Sequence, residues 1–145
     1  MDDLKDKERV NVLLIEDNHA DIRMVKELFK EFNRNTSITT VYNGVEALKF
    51  LSKKEKCHVD IDLILLDLNI PLIDGFEVLK EIKNNNELKS IPVLVLTTSS
   101  AKEDFLKAQE LEADCFITKP LDYDEYSSFL EHIGECWLKI KSSSK

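Results

Sequence analysis

The chain has 145 residues, a formal net charge of −8 at pH 7, 43% hydrophobic residues and 33% charged residues. That length suits one domain that buries about two-thirds of its unfolded surface, and the composition is typical of a globular protein. The acidic charge disfavours direct nucleic-acid binding, because neutralising phosphates requires clustered Lys and Arg. No apolar run reaches the roughly 18 residues that cross a bilayer, so we expect no membrane partner.

The cysteines are odd in number and widely separated, at Cys57, Cys115 and Cys136, and have no metal-ligand spacing. This pattern is typical of free thiols in a reducing compartment. The first nine residues are charged rather than apolar, so they do not resemble an export signal. We therefore predict a cytoplasmic protein.

Five short apolar runs predict β-strands. They are Val10–Ile15, Ile38–Val41, Leu63–Leu66, Val93–Leu96 and Cys115–Ile117. The first, third and fourth runs are continuously apolar, as strands of a parallel sheet with both faces covered are. The second run is more polar and suits an edge of the sheet.

Helical segments follow these strands, and several begin with a capping side chain three residues before a carboxylate. The pairs are Asn43 with Glu46, Asp74 with Glu77, Ser100 with Glu103, and Asp122 with Glu125. The last helix has a clear apolar stripe, whereas the fourth is only weakly amphipathic. Strands alternating with helices through right-handed crossovers predict a (βα)5 doubly wound α/β domain with a parallel five-stranded sheet.

Polar residues follow the strands of this predicted sheet. Glu16 and Asp17 follow the first strand, Asp67 the third, Thr97 the fourth and Lys119 the fifth. Residues just past parallel strands collect at one edge, where ligands bind. Clustered carboxylates repel one another, and Mg²⁺, which prefers oxygen ligands and phosphate, relieves that repulsion. The sequence therefore predicts a site for magnesium and a phosphoryl group.

Phosphoryl transfer is the chemistry that such a site supports. The Asp67 carboxylate can attack phosphorus and form an acyl phosphate. Lys119 supplies a compact positive charge for one phosphate oxygen, and Thr97 supplies a hydroxyl for another. Charge stabilisation of this kind is the main contribution a protein makes to such a transfer.

The chain resembles the response-regulator receiver domains of two-component signalling. The resemblance covers about Asn11 to Leu138 and rests on four motifs that follow one another in order. They are Leu14-Ile15-Glu16-Asp17-Asn18, Leu66-Asp67-Leu68-Asn69-Ile70-Pro71 with Asp74-Gly75, Leu96-Thr97-Thr98, and Phe116-Ile117-Thr118-Lys119-Pro120. It implies a flavodoxin-like, CheY-like fold with strand order 2-1-3-4-5. We place the receiver domain at residues 10–140, between a charged segment at 1–9 and a disordered tail at 141–145.

The resemblance also implies roles for the residues of the site. It makes Asp67 the phosphoacceptor and, with Asp17 and the main-chain carbonyl of Asn69, a ligand of Mg²⁺. It implies that Glu16 acts on the metal through water. A receiver of this kind phosphorylates and dephosphorylates itself but is otherwise not an enzyme.

A second set of implied roles concerns switching. The resemblance implies that the Thr97 hydroxyl moves towards the phosphoryl group and that the Phe116 ring changes its packing. Lys119 is the lysine that binds a phosphoryl oxygen in such a site. Receivers also usually have a cis peptide bond before the proline that corresponds to Pro120.

The segment Glu16-Asp17-Asn18-His19-Ala20-Asp21 and the stretch Leu68-Asn69-Ile70-Pro71 look like those of small regulators paired with phytochrome-type sensor kinases. This implies two partners, a sensor histidine kinase and a downstream protein. Such regulators often dimerise through the fourth and fifth helices. A homodimer would here include the C-terminal extension with Trp137, Leu138 and Ile140.

Three other functions would also suit an acidic site at the edge of a parallel sheet. A phosphatase with an aspartyl nucleophile usually has a second Asp two residues later as its general acid, but here that residue is Asn69, which cannot protonate a leaving group. A nucleotide-binding protein would need a glycine-rich loop, which Gly44, Gly75 and Gly134 do not form. A receiver that binds partners without phosphorylation stays open.

Overall fold

The structure is a computed structural model and describes residues 9–32, 35–52, 60–98, 101–120 and 125–143, without the side chains of residues 31, 32, 126, 130, 137, 138 and 140–143. Strands and helices alternate throughout the described residues. They are β1 (Val10–Ile15), α1 (His19–Phe32), β2 (Thr36–Val41), α2 (Gly44–Phe50), β3 (Leu63–Asp67), α3 (Gly75–Lys83), β4 (Val93–Thr97), α4 (Lys102–Glu110), β5 (Cys115–Thr118) and α5 (Tyr126–Ser143).

The five strands form one parallel sheet in the order β2-β1-β3-β4-β5. This confirms the predicted fold class and strand order. The boundaries differ slightly from those predicted, because β2 begins at Thr36 and because β3 and β4 include Asp67 and Thr97 as their last residues. Two of the predicted site residues therefore belong to the strands themselves and share their rigidity.

The core is divided by the sheet into two apolar layers. Alternate residues of a strand face opposite sides, so Val12 and Leu14 of β1 pack in one layer and Leu13 and Ile15 pack in the other. The first layer is closed by α1 and α5, and the second by α2, α3 and α4. Both faces of the central strands are covered, which is why their sequences are continuously apolar.

Two of the predicted helix caps are confirmed. The side chain of Asn43 accepts a hydrogen bond from the Glu46 amide at 2.8 Å, and that of Asp74 accepts one from the Glu77 amide at 3.1 Å. The helix α4 begins at Lys102 with Ala101 at its N-cap position, and the Ser100 side chain that was predicted to cap it lies outside the described residues. The cap predicted at Asp122 lies outside the described residues.

The interpretation of the cysteines as free thiols is wrong for two of them. Cys115 of β5 and Cys136 of α5 form a disulfide with their Cα atoms 6.3 Å apart. The packing of α5 against β5 brings together positions that are 21 residues apart in the chain. The cysteine pattern therefore no longer supports a reducing compartment. Cys57 lies outside the described residues.

Two further expectations are resolved at the ends of β5 and α5. The Lys119–Pro120 peptide bond is trans, so the expected cis bond is wrong; trans is the more stable form of an X–Pro bond. The helix α5 continues to Ser143, so it includes three residues that were assigned to the C-terminal tail.

No helix in the described part of the chain combines the length and the apolar character needed to cross a lipid bilayer.

Candidate functional site

The polar residues of the predicted site lie together at the carboxyl edge of the sheet. The strand register explains this, because Ile15 pairs with Leu66 and Asp67 pairs with Leu96, so that these strands end side by side. The buried polar or charged side chains of the described residues are Glu16, Asp67, Thr97 and Lys119. All four belong to the predicted site, so burial alone would single it out from the rest of the structure.

Three carboxylates form an acidic cluster at this edge. Glu16, Asp17 and Asp67 each offer an oxygen atom, and these atoms lie within 4.8 Å of one another. Glu16 and Asp67 are buried, whereas Asp17 is exposed and faces the solvent side of the group. Such hard oxygen donors with one open side fit a divalent cation that keeps part of its hydration shell.

Lys119 is the cation that neutralises part of this charge. Its Nζ lies 2.6 Å from Glu16 Oε1, 2.8 Å from Asp21 Oδ2 and 3.4 Å from Asp67 Oδ2. Only 4% of the lysine is exposed. A buried charge is stable only when it is paired, and this lysine is surrounded by carboxylates from α1, from β3 and from the residue that follows β1.

Burial changes the proton affinities of two of these groups. Burial, together with a hydrogen bond to Asp67, raises the pKa of Glu16 from 4.5 to about 7, although Lys119 acts in the opposite direction. Burial lowers the pKa of Lys119, but the hydrogen bonds to Asp21 and Glu16 and the charge attraction of Asp67 and Glu16 together outweigh it, so the pKa rises above 10.5. At neutral pH the site therefore holds a charged lysine and a glutamate that is partly protonated.

Backbone amides hold two of the carboxylates in place. The Asn69 amide donates to Asp67 Oδ1 at 3.1 Å, and the Asn18 amide donates to Glu16 Oε2 at 3.2 Å. Each bond joins a carboxylate to the loop that follows it, so the end of the strand and the start of the loop fix the orientation of the side chain. The predicted metal ligand Asn69 is exposed at the same edge.

Gly75 allows the loop after Asp67 to fold back closely. Its amide donates to the Leu68 carbonyl at 3.1 Å, and a Cβ atom at this position would lie 2.5 Å from the Cα of Leu68. A side chain therefore cannot be accommodated without displacing the loop. The Asp74-Gly75 pair thus supplies both the cap of α3 and the close approach of α3 to the Asp67 loop.

The two predicted switch residues lie on neighbouring strands. Thr97 is fully buried at the end of β4, and its carbonyl accepts a hydrogen bond from the Lys119 amide at 2.7 Å. Phe116 is half-buried on β5, where its ring meets that of Phe105 of α4 edge to face, with the centroids 5.4 Å apart. The Phe116 side chain therefore connects β5 to α4.

Asp21 is a site residue that the sequence reasoning missed. It lies in the first turn of α1, where its amide donates to the capping Asn18 side chain at 2.9 Å, and its carboxylate accepts from Lys119. The spacing of Asn18 and Asp21 is that of a helix start with an acidic residue in the first turn. Because α1 begins beside the end of β1, this signal could have placed Asp21 at the site.

With this fold and site in place, the class of the protein follows. The chain belongs to the response regulator receiver domain family, whose model matches residues 12–131. It therefore belongs to the receiver domains of two-component signalling, as the sequence motifs predicted.

Two known proteins are similar to this chain over most of their length. Response regulator Rcp1 of Synechocystis sp. strain PCC 6803 is 38% identical over 130 residues, which cover 88% of each chain. The probable methanogenesis regulatory protein FilR2 of Methanothrix harundinacea is 34% identical over 128 residues, covering 88% of this chain and 83% of the relative. Both similarities extend over nearly the whole receiver domain.

Solved structures agree with these relatives. The phosphorylated cyanobacterial phytochrome response regulator RcpA is 39% identical, with a TM-score of 0.82 and coverage of 90% of this chain and 94% of that one. The Mn²⁺-bound form of Rcp1 is 38% identical, with a TM-score of 0.81 and coverage of 90% and 95%. The expected resemblance to phytochrome-type response regulators is therefore confirmed as a resemblance in both sequence and fold.

Proposed function

We propose that this chain is a phosphorylation-dependent signalling switch that accepts a phosphoryl group on Asp67 from a sensor histidine kinase, with Mg²⁺ as its cofactor. The observation that carries the proposal is the pairing of a buried carboxylate with a buried ammonium group. Asp67 is 5% exposed, and its Oδ2 lies 3.4 Å from Lys119 Nζ. In a receiver domain, this arrangement gives one nucleophile and one charge for the incoming phosphoryl group.

In the proposed reaction an oxygen of the Asp67 carboxylate attacks phosphorus and forms an acyl phosphate. The bond from phosphorus to the donor nitrogen, or to oxygen in a small donor such as acetyl phosphate, breaks. The electron pair of that bond leaves with the donor, which takes its proton from water where it needs one.

The acidic cluster supplies the residues for the metal. Asp17 and Asp67 would bind Mg²⁺ directly together with the main-chain carbonyl of Asn69, and Glu16 would act through a water molecule. The bound ion would neutralise the charge that develops on the transferred phosphoryl oxygens. The fit rests on the three neighbouring carboxylates of this chain and agrees with the Mn²⁺-bound state of the related Rcp1.

Lys119 and Thr97 would each donate to a phosphoryl oxygen, and Thr97 and Phe116 would transmit the change. The half-buried ring of Phe116 already contacts α4 through Phe105. A movement of Thr97 at the end of β4 would therefore reach α4 through the neighbouring strand. The altered surface would lie around α4 and β5, which is where we place the binding of a downstream partner.

The proposed partners follow from the relatives. Because RcpA is a cyanobacterial phytochrome response regulator, we propose a phytochrome-type sensor histidine kinase as the phosphoryl donor. We also propose a homodimer through α4, α5 and the C-terminal extension. The side chains of Trp137, Leu138 and Ile140, on which the sequence argument for this dimer rested, lie outside the described residues. A cytoplasmic location is part of the same proposal.

The proposal includes no reaction on outside substrates. Self-phosphorylation and autodephosphorylation are the chemistry that we assign to the chain. Asn69 stands where an aspartyl phosphatase has its general acid. The backbone amide of Asn69 donates a hydrogen bond to Asp67. Continued hydrolysis of small phosphate esters through many turnovers would contradict this assignment and favour a phosphatase.

Intact-protein mass spectrometry after incubation with acetyl phosphate and Mg²⁺ tests the proposal. We expect one added phosphoryl group that is stable in acid and lost in base, because an acyl phosphate is cleaved by hydroxide. Asp67→Asn should gain no mass, whereas the control Asp104→Asn, on α4, should behave as wild type. A wild-type chain that gains no mass would instead support a receiver that binds partners without phosphorylation.

A further inference from the structure

We propose that Asp21 is a positioning residue that holds Lys119 beside the phosphoacceptor, so that its ammonium group is preorganised for the phosphoryl group. This inference rests on the proposed function and deepens it. It arises from one contact, in which Lys119 Nζ donates to Asp21 Oδ2 at 2.8 Å across 98 residues of chain.

The distances divide the three contacts of the ammonium group into two kinds. The contacts to Glu16 and Asp21, at 2.6 and 2.8 Å, are charge-assisted hydrogen bonds of ordinary length. The contact to Asp67 at 3.4 Å is longer than a good hydrogen bond. A lysine has three N–H donors, so two are engaged with carboxylates and the third is available on the side of the nucleophile.

Asp21 differs from Glu16 in what else it must do. Glu16 is one of the three carboxylates of the acidic cluster, together with Asp17 and Asp67, whereas Asp21 lies outside that cluster. Glu16 is therefore shared between the lysine and the cluster, whereas Asp21 binds the lysine without belonging to the cluster. Removing Asp21 would leave the ammonium group with partners that all take part in the reaction site.

Asp21 is itself held firmly enough to act as an anchor. Its amide is bonded to Asn18 at the start of α1, and Ile22, the next residue, is buried in the core. A carboxylate in the first turn of a helix is also stabilised by the helix dipole. The side chain is 29% exposed, so solvent screens the ion pair, and we expect a moderate effect rather than a complete loss.

A merely structural ion pair between α1 and the end of β5 is the competing explanation. Such a pair would affect the thermal stability of the chain but not the rate of phosphoryl transfer in the folded protein. A positioning role would lower the rate constant at saturating donor and Mg²⁺, because the lysine would be less well oriented when the charge develops. The two explanations therefore differ in a kinetic measurement made well below the melting temperature.

The experiment compares wild type, Asp21→Ala and Asp21→Asn, with Glu27→Gln as the matched control. Glu27 is an exposed carboxylate on the same helix. The rate constant for phosphorylation by acetyl phosphate would be measured at saturating Mg²⁺. We expect Asp21→Ala to be about tenfold slower, as the loss of a partly exposed charge-assisted hydrogen bond implies. Asp21→Asn, which keeps an acceptor oxygen, should lie between Asp21→Ala and wild type, and the control should match wild type.

The inference is overturned if folded Asp21→Ala reacts within about twofold of wild type at saturation. If that variant does not fold, the isosteric Asp21→Asn is measured in its place, and a rate equal to that of wild type then overturns the inference. If wild type itself accepts no phosphoryl group, the proposed function fails instead. In that case NMR of the Lys119 ammonium protons still tests the inference, because proton exchange with water should be faster in Asp21→Asn, and unchanged exchange would reject it.

Discussion

The helices α3 and α4 have the same length of nine residues, but the structure holds them very differently. The helix α3 has an Asp74 side chain as its cap and buries Gly75, Val78, Leu79 and Ile82. The helix α4 has no side-chain cap and buries only Ala108. Two neighbouring helices on the same face of the sheet thus differ in how many side chains they bury and in whether a side chain caps the amides of their first turn.

This difference indicates where the molecule can change shape. Local stability is lowest where few apolar groups are buried, and moving elements are drawn from such regions. The helix α3 follows Asp67 and keeps the loop after this residue fixed. The helix α4 lies between the strands of Thr97 and Phe116 and is attached by exposed contacts, including Lys107 over the Phe76 ring at 4.4 Å. The rigid side thus holds Asp67, the proposed nucleophile, and the weakly held side is available to respond.

Removing one leucine from each helix tests the comparison with the largest expected effect. Leu79→Ala removes a fully buried side chain of α3 and should lower the free energy of unfolding by about 2–5 kcal/mol. Leu106→Ala removes a side chain of α4 that is 49% exposed and should cost under about 1 kcal/mol. Urea unfolding monitored by circular dichroism measures both values.

One result of the leucine comparison would contradict this interpretation. If Leu106→Ala were as destabilising as Leu79→Ala, α4 would be as firmly packed as α3, and the proposed division between a rigid and a responsive side would be wrong. The two variants are suitable controls for each other because each removes the same atoms from a nine-residue helix.

The rigid side also contains buried charge, which predicts a pH dependence. Burial, together with the hydrogen bond to Asp67, raises the pKa of Glu16 from 4.5 to about 7. The folded state therefore binds more protons than the unfolded state between these values, and stability falls as pH rises through this window. The full difference is on the order of 3 kcal/mol. The pKa of Lys119 is raised above 10.5, so the titration of this lysine affects stability only at higher pH, outside the window of Glu16.

Chemical unfolding of the metal-free protein in EDTA between pH 4.5 and 8 would measure this dependence. Glu16→Gln should flatten the curve, because a glutamine cannot lose a proton. The α4 carboxylates Glu103 and Glu110 are exposed, so Glu103→Gln should leave the slope as in wild type. A wild-type stability that rises over this range would contradict the assigned burial of Glu16.

Exchanging the caps of the two helices gives the smallest effect but addresses the comparison most directly. Asp74→Ala removes the bond to the Glu77 amide and should destabilise the protein by about 1 kcal/mol. Ala101→Asp places a capping carboxylate before α4 and should stabilise that helix by about 0.5–1 kcal/mol. Hydrogen exchange should show slower exchange of the α4 amides in Ala101→Asp. Unchanged exchange there would show that capping does not limit the stability of α4.

Much of the fold could be predicted from the sequence because its signals are local. Continuous apolar runs identified the central strands, and the alternation of strands and helices fixed the parallel sheet. Once the strands are parallel, the residues at their ends must meet at one edge, so the sequence alone predicts that Glu16, Asp67 and Lys119 lie together. The caps at Asn43 and Asp74 are local in the same sense, since each acts within one turn.

The sequence by itself thus determined the architecture and the position of the site. Only the tertiary structure decided which side chains contact one another there. The bond between Lys119 and Asp21 joins residues 98 positions apart, and the Cys115–Cys136 disulfide depends on how α5 packs against β5. The pKa of Glu16 depends on burial by the surrounding elements. These features depend on distances and solvent exclusion between distant segments, and such quantities exist only when the chain is folded.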